Sequence, residues 1–509
     1  MKSNSSTAKD AAKSIMESVG SEISDLWAYM RETDAETIKS DMRDIWLLYS
    51  TVAKVYSKAG AIVVKRGPGI VQDMRRLPWL LNMMDLRNFF RAARGRKGPY
   101  REAILTIMEK TAESAVDYVM KVLKQPDRVV YFQSAALCLS ELLEAMGLVP
   151  FMDMAPPVLS VFLAPDGMEK FMDFAIQSGI PGDACSLARS AQGLLFKGQY
   201  PKAGVIVGNN MCEGQVNTAV LYEKAMKLPV FVTDVPNDFN SRRALEWYQK
   251  EVMRMVKWLE ENTPGRMDWD RLKEICEERN RAVEAEMELW DMMRMKPTPL
   301  AGEVVWLAHL IGVALMGGKK TGTEMMQKLA ECAKENIKRG QGAIPNERYR
   351  SVVWHPTMAV HWHLYRYLEQ KWGIVLLQDS MAFNDLGFID TSSNESMIRD
   401  IAKHMMNTPM ALIARGTSEY YLDHLFHIYD HWDLDMILVG DHIGCKSVAG
   451  MTGILRDISR KRGIPVCLIP YDLMDPRFAS WEDVTNTVDQ FMETVMMEEP
   501  LVGKDWKFR

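Results

Sequence analysis

One unit occurs twice in this chain, and it restricts the fold more than any other feature. In the first copy Gly204–Gly208 (GVIVG) leads through a turn, Asn209–Met211, to Cys212. A helix to about Met226, then Pro229 and a second apolar run, Val230–Thr233, complete it. In the second copy Met436–Gly440 (MILVG) leads through Asp441–Gly444 to Cys445, a helix to about Arg462, Pro465 and the run Val466–Ile469. A short unbroken apolar run between turn residues is the pattern of a strand covered on both faces, as in a parallel sheet. Parallel neighbours need a crossover, and each copy supplies a helical one. Both copies end in an acidic, proline-containing loop, Asp234–Asp238 and Asp472–Arg477. The repeat predicts an α/β fold with two doubly wound, Rossmann-like parallel-sheet lobes of similar build.

The rest of the chain fits around those lobes. Apolar residues recur at helical spacing through Ile38–Val55 and Tyr100–Leu123, with a break at Pro68 and Gly69. A β-like run, Val129–Phe132, and a helix through Glu141–Met146 open the first lobe, and a strand at Gly373–Gln378 belongs to the second. From about Asn240 to Gln341 charged and apolar residues interleave as in long helices, punctuated by Lys296–Pro299. We therefore expect an N-terminal helical extension over 1–125, a first lobe over 126–240, a helical connecting region over 241–345 and a second lobe over 346–509. A chain of 509 residues is too long for a single core.

Composition narrows the function. A net charge of −5 carries no nucleic-acid footprint. No run of about 18 apolar residues suggests a membrane span. The polar stretch Met1–Asp10 lacks the apolar core of a secretory signal and reads as a disordered tail on a cytoplasmic protein. Seven cysteines, an odd and sparse set, argue against a disulfide framework. That leaves packing, metal binding or reactive thiols. The basic segment Lys65–Lys97 is either a solvated helical face or a docking site for an acidic partner or a phosphorylated ligand.

In open α/β sheets ligands sit beyond the carboxyl ends of the strands, where Cys212 and Cys445 fall, each near a helix N-terminus. There free N–H groups and a partial positive charge favour a thiolate. Cys185 lies in Ile180–Arg189 (IPGDACSLAR), with Asp183 as the expected N-cap and Cys185 in the first helical turn. Cubane clusters usually take four protein ligands; three thiolates would leave one iron open, as in catalytic metal sites. Spacing alone leaves a second reading open, that all three are small buried hydrophobes. Cys138, Cys276, Cys332 and Cys467 are assigned to packing. His355, His361 and His363 cluster near two tryptophans, and His424, His427 and His431 share helical spacing; we read them as polar face and core imidazoles, with acid–base roles open.

At these residues the sequence resembles the 2-hydroxyacyl-CoA dehydratase family, which includes the ATP-dependent benzoyl-CoA reductases. The resemblance covers about residues 128–490 and rests on motifs in a fixed order. They are Tyr131–Gly147, Asp183–Cys185 with Arg189, Asn209–Cys212, Val235–Phe239, Lys296–Pro299, Cys445–Lys446 and Asp475–Arg477. It implies a [4Fe–4S] cluster on Cys185, Cys212 and Cys445, a related second subunit in a heterodimer, and an iron–sulfur ATPase activator that delivers one low-potential electron. In the dehydratases an acyl-CoA thioester accepts that electron as a ketyl radical anion, the 2-hydroxyl leaves and an enoyl-CoA results; in the reductases electrons are consumed in an aromatic ring. Ser134, in a serine-bearing turn, would touch the thioester. Glu141 and His442 are further catalytic candidates, His442 as a proton donor or a helix cap. Where many members carry Asn-Arg-Ser before the last cysteine, this chain has His442-Ile443-Gly444.

Overall fold

The structure, a computed structural model, describes residues 35–82, 92–93, 95–133, 139–163, 168–311, 315–354, 358–379, 387–415 and 418–503, together with residues 20, 24 and 506. The tail Met1–Asp10, Ser134, Cys138 and His355 lie outside them.

In chain order the elements that position the site begin with α1 (Ala35–Arg66) and α2 (Gly98–Lys124). The first lobe follows as β1 (Val129–Phe132), α3 (Leu139–Ala145), β2 (Val149–Met152), α4 (Ser186–Phe196), β3 (Val205–Asn209), α5 (Glu213–Met226) and β4 (Val230–Thr233). Long helices α6 (Arg242–Asn262), α7 (Trp269–Met293) and α8 (Lys320–Lys338) connect it to the second lobe. That lobe comprises β5 (Tyr349–Trp354), α9 (Leu364–Trp372), β6 (Ile374–Asp379), β7 (Ile437–His442), α10 (Lys446–Arg462) and β8 (Val466–Tyr471).

Both sheets are four-stranded and parallel. Their orders, β2-β1-β3-β4 and β6-β5-β7-β8, are the same topology repeated. In each, the chain winds outward on one side of the first strand and then returns to build the other side, so the order reverses between β1 and β3 and between β5 and β7. The strand–turn–Cys–helix–strand unit is thus the second half of each lobe: β3-α5-β4 and β7-α10-β8.

Alternate side chains of a strand face opposite sides of its sheet. Val130 and Phe132 of β1 enter one apolar cluster with α6 and α7, whereas Val129 and Tyr131 enter another. The second cluster also takes in Val353 of β5, Ile374 and Leu376 of β6, and Leu438 of β7. One face of each sheet therefore feeds a shared core, and burying it joins the lobes. The other face of the second sheet, through Val352, Val375 and Ile437, packs with α2 and α8.

The N-terminal region holds one departure from a solvated basic face. Arg96 is buried beside Glu303, at 2.8 Å, and Glu369. Burial opposes its charge, and the two carboxylates more than compensate, so its pKa is raised. Arg66 pairs with Asp73 and Arg76 donates to the Tyr200 carbonyl, so these basic side chains serve packing. Among the described residues no helix is long and apolar enough to cross a membrane.

Candidate cofactor site

Helices α6 and α7 start in the usual way, on residues with a side-chain oxygen. Ser241 Oγ accepts from the Ala244 amide at 3.4 Å, and Asp268 Oδ1 from the Arg271 amide at 2.9 Å. Among the described residues, three other helices start on cysteine. Cys185 is the N-cap of α4, Cys212 of α5 and Cys445 of α10. This corrects the expectation for Cys185, which precedes the first turn; Asp183 instead reaches across to Lys446 at 2.7 Å and ties the Cys185 loop to α10. A helix leaves its first amides without partners, and an N-cap side chain lies over them. None of the three makes a capping hydrogen bond, but the nearby amides of Leu187 and Ala188 favour ionisation of Cys185, those of Gly214 and Gln215 of Cys212, and those of Ser447 and Val448 of Cys445.

The three thiols gather at one place. Burial pushes the Cys185 thiol up to about 12, and the neighbouring Cys445 and Cys212 sulfurs push the same way, as like charges brought together must. Burial raises Cys212 to about 11, with Cys445 again adding, and burial also raises Cys445. The amides oppose each rise. As bare thiols these groups are protonated at neutral pH; a bound cation would be needed to hold them as thiolates.

The surroundings are kept small. A Cβ on Gly214 would lie 3.2 Å from Ala188 Cβ and 3.7 Å from Cys185 Cβ. One on Gly444 would lie 3.0 Å from His442 Cε1 and 3.1 Å from Cys185 Cα. Glycine at 444 lets the Cys445 loop of the second lobe approach Cys185 of the first, and glycine at 214 lets α5 approach α4 within the first lobe. A cavity of about 450 Å³ opens beside them, lined by Asp183, Ala184, Arg189, Gly444, Asp472 and Arg477 among others.

His442, the last residue of β7, is buried against this group. Its Nε2 lies 3.7 Å from Cys185 Sγ, its Nδ1 accepts the Leu473 amide at 3.3 Å, and Asp472 Oδ2 is 3.8 Å from Nδ1. Burial holds its pKa below the usual imidazole range despite the upward pull of Asp472. It does not cap α10; Cys445 does.

Glu141 makes its contacts elsewhere. It lies in the first turn of α3, almost fully buried, with Oε1 taking Arg279 Nη1 of α7 at 2.6 Å and Oε2 taking Ser140 Oγ at 2.8 Å. Ser134 lies outside the described residues. Cys276, Cys332 and Cys467 are buried in apolar clusters or strands, as packing cysteines would be. His361 is a buried imidazole with Nε2 2.9 Å from the Ala479 carbonyl, and His427 and His431 stack at 4.0 Å.

Two supporting residues went unread in the sequence. Gln133, just past β1, accepts the Asn209 amide at 2.9 Å and donates to the Gln215 carbonyl, holding both sides of the Cys212 turn. Its position at a strand's carboxyl end was the available signal. Arg279 sits in a charged helix with nothing local to set it apart.

Three thiolates of a cubane bind three different irons, so they surround a body rather than a point. Among the described residues no three His, Cys, Asp or Glu side chains form a site for a single metal ion. The donor set, the glycine clearances and three helix N-termini turned inward suit a bulky anionic iron–sulfur group.

The family model described as 2-hydroxyglutaryl-CoA dehydratase, D-component, matches residues 138–495. The chain is 22% identical over 308 residues to the alpha subunit of (R)-2-hydroxyglutaryl-CoA dehydratase of Acidaminococcus fermentans, covering 59% of this chain and 62% of that one. It thus spans less than two thirds of that relative's length. It is 21% identical over 359 residues to a benzoyl-CoA reductase subunit of Thauera aromatica, covering 63% of this chain and 78% of that one.

Proposed function

The chain belongs to the 2-hydroxyglutaryl-CoA dehydratase D-component family, and on that footing we propose that it is one subunit of a low-potential iron–sulfur enzyme acting on acyl-CoA thioesters. Cys185, Cys212 and Cys445 hold a [4Fe–4S] cluster. The reaction is radical dehydration of a 2-hydroxyacyl-CoA to an enoyl-CoA, with a related second subunit completing a heterodimer and an iron–sulfur ATPase supplying the electron. Cytoplasmic residence suits thiols that must stay reduced. The observation that carries this reading is the placement of three cysteines, from both lobes, at the N-caps of three helices that start at one spot.

When bound, the cluster would supply one electron at low potential and one iron free of protein ligands. This chain's own residues do the rest. Each helix N-terminus contributes roughly half a positive charge toward the sulfurs. The amides behind each cysteine favour the thiolates, and Gly214 and Gly444 let the segments that carry Cys212 and Cys445 come close to Cys185. Asp183 and Lys446 bridge the two loops that carry Cys185 and Cys445. Glu141 and Arg279 fix the start of α3, which follows Ser134, our candidate thioester contact, in the chain.

A second reading is an aryl-CoA reductase subunit, favoured by the match that covers 78% of the Thauera aromatica benzoyl-CoA reductase chain. A third is an electron-relay subunit with the chemistry on its partner. Electron counting under anaerobic turnover separates them. Dehydration recycles its electron, so product should exceed electrons supplied many times over. Two electrons consumed per product would establish reduction instead. A cluster whose EPR spectrum ignores added acyl-CoA would establish the relay.

A further inference from the structure

The ring of contacts around His442 closes on itself across the two lobes. It starts at Cys185, the N-cap of α4. One turn along the same helix the Arg189 amide donates to the Cys185 carbonyl at 2.9 Å, and the Arg189 guanidinium stands 3.9 Å from Asp472 Oδ2. Asp472 is itself fixed, with Oδ1 accepting the amides of Met474 and Asp475 at 2.9 Å each. Its other oxygen lies 3.8 Å from His442 Nδ1, and His442 Nε2 returns to Cys185 Sγ at 3.7 Å. Cys185 and Arg189 belong to the first lobe, His442 and Asp472 to the second.

The direction of the last contact follows from the one before it. The Leu473 amide can only donate, so His442 Nδ1 is the acceptor there. In a neutral imidazole the single proton then lies on Nε2, and in a charged one Nε2 carries a proton as well. In the neutral tautomer that accepts the Leu473 amide, that hydrogen points at the Cys185 sulfur.

We propose that His442 is a positioning residue that donates its Nε2–H to the Cys185 sulfur from across the lobes and thereby raises the reduction potential of the group that sulfur holds. Reduction adds negative charge to the cluster and its sulfurs. A fixed donor stabilises the more negative state more. The Leu473 amide and the Asp472–Arg189 pair hold the ring plane. This inference rests on the three-cysteine cluster proposed above.

The test uses the full-length chain purified anaerobically and reconstituted with iron and sulfide, as wild type, His442→Phe and His442→Gln. Phenylalanine fills the ring's space without an N–H, and glutamine restores a donor. Iron and sulfide content is measured first, then the cluster's midpoint potential by EPR-monitored redox titration. We expect all three proteins to hold the cluster. The Phe variant should show a lower potential, with its reduced-to-oxidised ratio down about tenfold at the wild-type midpoint, or about 59 mV for one electron. The Gln variant should fall between the two. Equal potentials in wild type and Phe variant would overturn the inference. So would equal shifts in both variants, which would mean a steric role, or loss of iron from a folded Phe variant, which would mean His442 holds the cluster itself. Absence of a cluster from the wild type would instead defeat the proposed function.

Discussion

A cysteine at an N-cap is a poor choice for stability. Serine, threonine, aspartate and asparagine offer an oxygen to the first amides; a thiol is a weak acceptor. The helices α6 and α7 are capped by oxygen, at Ser241 and Asp268, whereas sulfur stands at Cys185, Cys212 and Cys445. That contrast makes a prediction. In metal-free protein, Cys185→Ser, Cys212→Ser and Cys445→Ser should each leave stability unchanged or raise it by up to about 1 kcal/mol in urea unfolding, because serine is the better cap. A clear loss of stability in the apo-protein would mark the cysteines as packing residues. The cysteines themselves were legible, since each follows a turn at a helix start. The His442 contact with Cys185 was not, because it joins residues 257 apart in the chain and no local pattern announces it. Asp183 was misread as a cap for a similar reason: its partner, Lys446, is 263 residues away.

At the scale of elements, periodicity and punctuation were enough wherever a strand was apolar throughout. β3, β4, β7 and β8 fall within a residue or two of the runs that predict them, and β1 matches Val129–Phe132. Two strands gave no such signal. β2 contains Pro150, which argues against a strand yet is tolerated here at the edge of the sheet. β5 opens Tyr349-Arg350-Ser351, and its polar start hides a central strand whose Arg350 is buried by the Met293 and Met295 carbonyls and Glu347. The loops before α5 and α10 are the elements that function depends on. Gly444→Ala would set a Cβ 3.0 Å from the His442 ring and 3.1 Å from Cys185 Cα, so we expect several-fold weaker iron retention after reconstitution. Gly214→Ala, with its nearest contact at 3.2 Å to a methyl group, should cost less. Gly450→Ala, in the same helix as Cys445 with open space around it, should retain iron fully and gain roughly 0.5–1 kcal/mol in stability. Equal iron loss in all three would detach the glycines from the site.

The whole molecule is held by a core that both sheets share and by buried ion pairs between distant segments. Arg96, from the N-terminal helical region, joins Glu303 and Glu369, each almost fully buried. Removing one partner of such a group strands charge in the interior, so Arg96→Ala should cost about 3–5 kcal/mol in equilibrium unfolding while leaving the cysteine site chemically intact. A loss under about 1 kcal/mol would mean that water reaches the pair. The internal repeat made the two-lobed plan legible from the sequence, but the way the lobes share one core was not. That depends on which face of each strand turns inward, and in strands covered on both sides the alternation that would reveal it is absent.

If three N-cap cysteines from two lobes hold one iron–sulfur cluster, the purified protein must carry iron and sulfide in fixed proportion. Iron and acid-labile sulfide, measured in anaerobically purified full-length chain, test it most directly, with Cys185→Ser, Cys212→Ser and Cys445→Ser beside a Cys467→Ser control. We expect about four irons and four sulfides per chain in wild type and control, and marked loss in each of the three site variants. Wild-type protein that binds no iron after reconstitution, or site variants that retain it as well as the control does, would contradict it.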